Sequence, residues 1–212
     1  YIYAQLQQHE KAINYYEKVI ELNPNEEKIY LNLGKNYNKL KDYKTAIFYF
    51  GKMITLNPNF AEAYFCRANS YSALEEHQKS VDDLTKAIML KSDYADAYYN
   101  RADSYADLEE YEKAIADLTK VITLNPNFAA AYCNRGAIYN IVEEYEKAIA
   151  DFDKAEKLNP TIVQIYYNRG ESYHLLGEYQ KAISDFSKVI AHDPNDKEAY
   201  LNRAKAYRAI GE

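Results

Sequence analysis

Leu56–Phe60 reads LNPNF, and the same five letters return at Leu124–Phe128. Variants stand between and around them: LNPNE from Leu22, LKSDY from Leu90, LNPTI from Leu158 and HDPND from His192. The prolines Pro24, Pro58, Pro126, Pro160 and Pro194 keep a 34-residue register, with Ser92 where a further proline would fall. Proline cannot continue a helix and disfavours α geometry in the residue before it, so each motif reads as a helix stop. A fixed period of this length is the mark of a repeat architecture.

Taking residue 27 as position one gives full units 27–60, 61–94, 95–128, 129–162 and 163–196, with partial units 1–26 and 197–212. The fourth position is Tyr30, Tyr64, Tyr98, Tyr132, Tyr166 and Tyr200. The eighth is small throughout: Gly34, Ala68, Ala102, Gly136, Gly170 and Ala204. The eleventh is Tyr37, Tyr71, Tyr105, Tyr139, Tyr173 and Tyr207. Steps of four and three place these residues on one helix face. A second helical stripe follows, as in Tyr111, Ala114, Ile115, Leu118, Val121 and Ile122. Between the stripes lies a short acidic turn such as Glu109–Glu110, whose charge favours the N-terminus of the next helix.

The 34-residue helix pair resembles the tetratricopeptide repeat over all 212 residues. Departures are tyrosine for tryptophan at position four, arginine for leucine at position seven, and Ser80 and Ser92 in unit 61–94. The resemblance implies an all-α fold, a right-handed α-solenoid of antiparallel helix pairs with the first helices lining a concave face. It also implies a scaffold for protein partners rather than an enzyme. The pentatricopeptide repeat differs by its 35-residue period and basic RNA-binding face.

Composition agrees with a binding role. Net charge is −6 with few clustered cations, which argues against a phosphate-backbone partner. No apolar run approaches the ~18 residues of a membrane span, so no membrane partner is expected. No Gly-rich phosphate loop appears. His9 and His77 replace the tyrosine of position 17, and His174 and His192 stand singly, without metal-ligand spacing. No cofactor and no metal are expected. Cys66 and Cys133 lie two units apart, about 20 Å at helix-packing distances, too far for a disulfide. Thiols kept free suit a reducing compartment, and a cytoplasmic location is expected. The chain begins without Met and inside a repeat, so an excerpt of a longer protein is expected.

Position seven carries Arg67, Arg101, Arg135 and Arg169, while position 23 carries Asp83, Asp117, Asp151 and Asp185. The unit with Leu33 instead has Tyr49. A guanidinium at a partly buried position needs a partner, so these residues are expected to form structural ion pairs.

In the resembled family, positions 2, 5, 6, 9, 12 and 13 face the groove. The sixth position reads Asn32, Cys66, Asn100, Asn134, Asn168 and Asn202. An amide donates and accepts at once, as a peptide group does, so this ladder is a candidate grip on an extended peptide or a partner helix. Asparagine here also reads as a tolerated polar residue, or one bonded to the neighbouring helix. Phe65, Tyr99, Cys133 and Tyr167 run beside it; Ala137 and Ile141 extend an apolar stretch, and Glu62, Asp96, Asp103 and Asp107 an acidic one. Lys28, Lys35 and Lys39 make the first full unit basic. The lysine, asparagine and arginine set by which chaperone-binding relatives clamp a terminal carboxylate occurs in no window, so chaperone tails are not an expected ligand. Two other readings stay open: the targeting region of a larger enzyme, and a module that self-associates end to end.

Overall fold

The computed structural model describes residues 2–211, with side chains for 8–211, so the outermost residue of each partial unit lies outside the described residues. Twelve α-helices and no strand occur among them. They are α1 (Ile2–Leu22), α2 (Glu27–Lys39), α3 (Tyr43–Leu56), α4 (Ala61–Ser72), α5 (His77–Leu90) and α6 (Ala95–Asp107). The others are α7 (Tyr111–Leu124), α8 (Ala129–Ile141), α9 (Tyr145–Leu158), α10 (Val163–Leu175), α11 (Tyr179–His192) and α12 (Lys197–Ile210). The contacts divide into two compact units, one ending at Glu110 and the other beginning at Tyr111.

The LNPNF motif explains how a helix pair is closed. Helix α3 ends at Leu56, and Asn57 leaves helical geometry at φ −136°. The Asn57 side-chain oxygen accepts from the Asn59 amide at 3.3 Å, forming an Asx turn around Pro58. The Pro58 carbonyl then accepts from the Tyr64 hydroxyl of the next helix at 3.1 Å. Tyr30, Tyr132 and Tyr166 bond Pro24, Pro126 and Pro160 in the same way. A hydroxyl at the fourth position thus ties each of these four motifs to the helix that follows. Where Ser92 replaces proline, helix α5 still stops, at Leu90.

The turn inside each pair has its own device. Lys41, Glu75, Glu109 and Glu143 adopt φ between 59° and 62°, and Gly177 and Gly211 share the left-handed region at 76° and 84°. All six stand at position fifteen. Left-handed geometry there reverses the chain and starts the second helix within two residues. In the leading partial unit, Gln7 holds that position inside α1, which runs on unbroken for 21 residues.

In the first unit, α2 packs on α1 and α3, and α4 on α3 and α5. Phe50 and Met53 fill the space under Tyr30 and Ala63, and Leu84 that under Tyr64 and Ala97. In the second unit, Phe152 lies among Tyr132, Ala148 and Ile165, and Phe186 among Ala182, Ile183 and Ala206. First helices also touch the next first helix: α2 with α4 and α4 with α6, then α8 with α10 and α10 with α12. Second helices make no comparable contact among the described residues. Within each unit the first helices therefore form the tighter, inner layer. Within a pair, glycine or alanine at the eighth position leaves room for the large side chain at position 24 of the second helix.

Candidate functional site

At position seven, Arg135 and Arg169 are held on three sides. Arg135 donates Nε and Nη2 to the two carboxylate oxygens of Asp151, at 2.7 and 2.8 Å. Arg67 grips Asp83 at 2.6 and 2.7 Å, and Arg169 grips Asp185 at 2.7 and 2.9 Å. The Arg135 guanidinium also lies 5.9 and 5.8 Å from the ring centres of Tyr132 and Tyr139, one turn before and after it. Its remaining nitrogen, Nη1, reaches the preceding unit and donates to Thr119 Oγ1 at 2.9 Å. Arg101, Arg169 and Arg203 reach Thr85, Asp153 and Ser187 in the same manner, all at position 25. That third partner was not anticipated from the sequence, although an oxygen-bearing side chain repeats there. Asp117 is buried in the second unit and Arg101 half-buried in the first. Hydrogen bonding to its aspartate raises the pKa of Arg67 and of Arg135, outweighing burial, which opposes the charge.

The sixth-position asparagines are half-buried, and Asn100, Asn134 and Asn202 are already engaged. Asn100 donates to Asn69 Oδ1 at 2.7 Å. Asn202 donates to the Tyr167 hydroxyl at 3.1 Å, and its Oδ1 accepts from Lys205 at 3.0 Å. The Asn168 backbone carbonyl accepts from Asn140 at 2.9 Å, and its side-chain amide bonds nothing among the described residues. Asn32 likewise offers its backbone carbonyl, to Asn36 at 2.8 Å. Asn134 is half-buried and engaged. Position twelve carries further amides: Asn38 accepts from Ser70 and Asn140 from Ser172, each at 2.7 Å.

The flanking residues separate. Phe65 tilts against Tyr94 with ring centres 4.9 Å apart, and Tyr99 is half-buried. Cys133 lies in the core with Tyr132 and Phe152 and offers no surface. Ala137 is half-buried, while Ile141 is 56% exposed. Burial pushes both thiols up to about 11, so at neutral pH they are protonated and poor nucleophiles. The acidic stretch is partly neutralised, since Glu62 pairs with Lys35 at 2.5 Å and Asp107 lies 3.1 Å from His77 Nδ1. Asp96 and Asp103 are exposed. Lys35, Lys39, His9, Asn36, Asn38 and Asn69 line a cleft of 590 Å³ in the first unit. In the second unit, a cavity of 370 Å³ lies between α8, α10, α11 and α12. No group of three or more potential metal ligands occurs among the described residues. No helix among them is long and apolar enough to cross a membrane.

Known proteins place this geometry. No curated protein matches the chain. Solved structures similar to it include YrrB, described as a TPR protein with an unusual peptide-binding site. YrrB is 22% identical over 89% of this chain and 97% of its own, with a TM-score of 0.78. MamA is 26% identical over 84% and 94%, at a TM-score of 0.74. A tetratricopeptide repeat protein from Parabacteroides merdae ATCC 43184 is 23% identical over 92% and 73%, at 0.75. Tetratricopeptide repeat profiles match residues 27–60, 95–128, 129–162 and 163–196, a further one matches 61–94, and a TPR repeat profile matches 1–41. With its tyrosine-sandwiched arginines and Asn-Pro stops on the same frame, the chain belongs to the tetratricopeptide repeat family.

Proposed function

We propose that the protein is an interaction scaffold, and that the first-helix layer of each unit binds an extended peptide or a partner helix. One observation carries this reading: first helices expose large aliphatic side chains beside half-buried amides. Ile141, Leu175 and Leu201 are 56%, 60% and 57% exposed, and Asn140, Asn168 and Asn202 lie on the same helices. A carboxamide has two donor hydrogens and two acceptor lone pairs, so an amide with one internal bond can still meet a peptide group. The internal bond of Asn100 to Asn69 orients it for that role. Binding rather than catalysis is assigned, as no catalytic constellation recurs on this face. A peptide-binding site on YrrB, a protein of the same fold, supports the reading.

The test is capture of partners from native lysate by the wild type and by the Asn100→Ala, Asn134→Ala, Asn168→Ala triple variant. Substantial loss of a captured partner with the helical circular dichroism unchanged supports the ladder. Equal capture sinks it.

Self-association is a second reading, favoured by apolar exposure at both ends: Tyr15 and Leu22 on α1, and Tyr200, Leu201 and Tyr207 on α12. Sedimentation that does not change with concentration would exclude it.

A further inference from the structure

The 370 Å³ cavity of the second unit combines apolar walls with amide and charged side chains. Its walls are Ile141, Leu175 and Phe186 on the apolar side and Asn140, Asn202 and Lys205 on the polar side, with Glu171 and His174 between them. Its volume lies at the lower end of the range for ligand sites, enough for one side chain and part of its backbone. Two of the apolar walls, Ile141 and Leu175, are more than half exposed, so the cavity opens at the surface.

The polar side is imbalanced. Glu171 is half-buried and makes no hydrogen bond or ion pair among the described residues. Burial and the neighbouring Glu198 carboxylate push its pKa up, and Lys205 only partly opposes them. The Lys205 ammonium is bonded to Asn202 Oδ1 at 3.0 Å, not to either carboxylate. Glu198 itself lies 3.4 Å from the Tyr167 hydroxyl. The His174 Nδ1 atom is buried without a hydrogen-bond partner. Glu171 on the cavity wall and Glu198 near it thus stand as two carboxylates to one ammonium, itself bonded to Asn202, which leaves a place for a second cation.

We propose, building on the scaffold reading, that this cavity seats an aliphatic side chain of an extended peptide and that Glu171 and Glu198 bind an adjacent Lys or Arg. The amides of Asn140 and Asn202 each retain one N–H after their internal bonds, and these N–H groups flank the apolar walls. They meet the peptide carbonyls on either side of the seated residue. An acidic neighbour in the peptide would instead stand against two carboxylates, which association disfavours.

The experiment uses the full chain and three fluorescein-labelled peptides, Ser-Gly-Leu-Lys-Gly-Ser and its Leu-Glu and Ser-Lys counterparts, in polarisation titrations at low salt. A random peptide library displayed against the wild type runs in parallel. The Leu-Lys peptide should bind at least about tenfold tighter than either counterpart, and the advantage over Leu-Glu should shrink as salt screens the pair. E171K should reverse the Leu-Lys and Leu-Glu order, and L175E should abolish the preference for Leu over Ser. Both positions are at least partly solvent-facing, and circular dichroism checks the fold of each variant. Equal binding of Leu-Lys and Leu-Glu, or an order unmoved by E171K, overturns the cavity proposal. Library peptides that bind irrespective of E171K and L175E leave the scaffold reading standing while refuting the cavity. A library that yields no binder at all counts against both.

Discussion

The Cε1 atom of Phe152 stands 2.8 Å from where a β-carbon on Gly136 would lie, with two more ring atoms at 3.0 and 3.1 Å. Gly170 meets Phe186 similarly at 2.9 Å, and Gly34 meets Phe50 more closely still. Where position eight is Ala68, the facing residue of the same cluster is Leu84. Glycine goes with phenylalanine and alanine with leucine. Gly136→Ala should gain about 1 kcal/mol of helix propensity yet lose roughly 1–3 kcal/mol to overpacking, for a net loss of stability. In a Phe152→Leu background the same change should become neutral or stabilising. Urea midpoints of the four proteins decide the matter, and a Gly136→Ala effect of the same sign in both backgrounds refutes the coupling.

Four residues with side chains occupy left-handed backbone at position fifteen. For an L-residue that geometry costs on the order of 1 kcal/mol, partly offset by the larger unfolded-state entropy of glycine. Glu143, at φ 62°, is one of them. Glu143→Gly should therefore raise the thermal midpoint or leave it level. Gly177→Ala, at φ 76° with open space around its β-position, should lower stability by about 1 kcal/mol. A destabilising Glu143→Gly would show that the glutamate side chain contributes more than its backbone strain costs.

Asp151→Ala leaves the Arg135 guanidinium without its two-pronged acceptor in a half-buried site. The expected loss is about 1–3 kcal/mol. The Leu33 and Tyr49 pair shows that the frame accepts apolar residues at both positions, so Arg135→Leu with Asp151→Tyr should recover most of it. A double-mutant cycle on Arg135 and Asp151 whose single losses simply add would refute the pairing.

Glu171 is one source of pH dependence. Its pKa is raised in the folded chain by burial and by Glu198, so protonation favours the fold. That contribution is complete below the unfolded value near 4.5 and disappears as pH rises through the higher folded value. Glu171→Gln should thus stabilise the chain at pH 7 and leave it unchanged near pH 4. Thermal melts at the two pH values measure the difference, and equal effects at both would remove Glu171 as its source.

The fold was legible because its signal is repeated. Six tyrosines at position four, and prolines two residues short of the end of every unit but 61–94, outweigh any local ambiguity, and the helices stop at Leu56, Leu124 and Leu158 beside them. Single positions were less legible. A glutamate such as Glu109 carries no mark of positive φ, because ordinary residues reach that region only when the surrounding pair enforces it. The continuous α1 was not foreseen, since nothing in the sequence around Gln7 marks the loss of the turn. Cys133 sits at a position assigned to the groove face, but its small apolar side chain packs inward against Phe152. For the candidate site, residue type located the amides, whereas their bonding depends on neighbours 31 to 35 residues away, such as Asn69 for Asn100 and Tyr167 for Asn202.

The reach of each arginine into the preceding unit limits how the repeats can be exchanged. A duplicated or transplanted unit must bring an oxygen at position 25 for the arginine that follows it. Unit 61–94 can do so through Thr85 and unit 129–162 through Asp153, but unit 27–60 offers only Gly51, beside Arg67 Nη1. Copies of that first full unit inserted further along would leave the next guanidinium one acceptor short. Lineages that lengthen or shorten this array should therefore draw their extra copies from the later units rather than from 27–60.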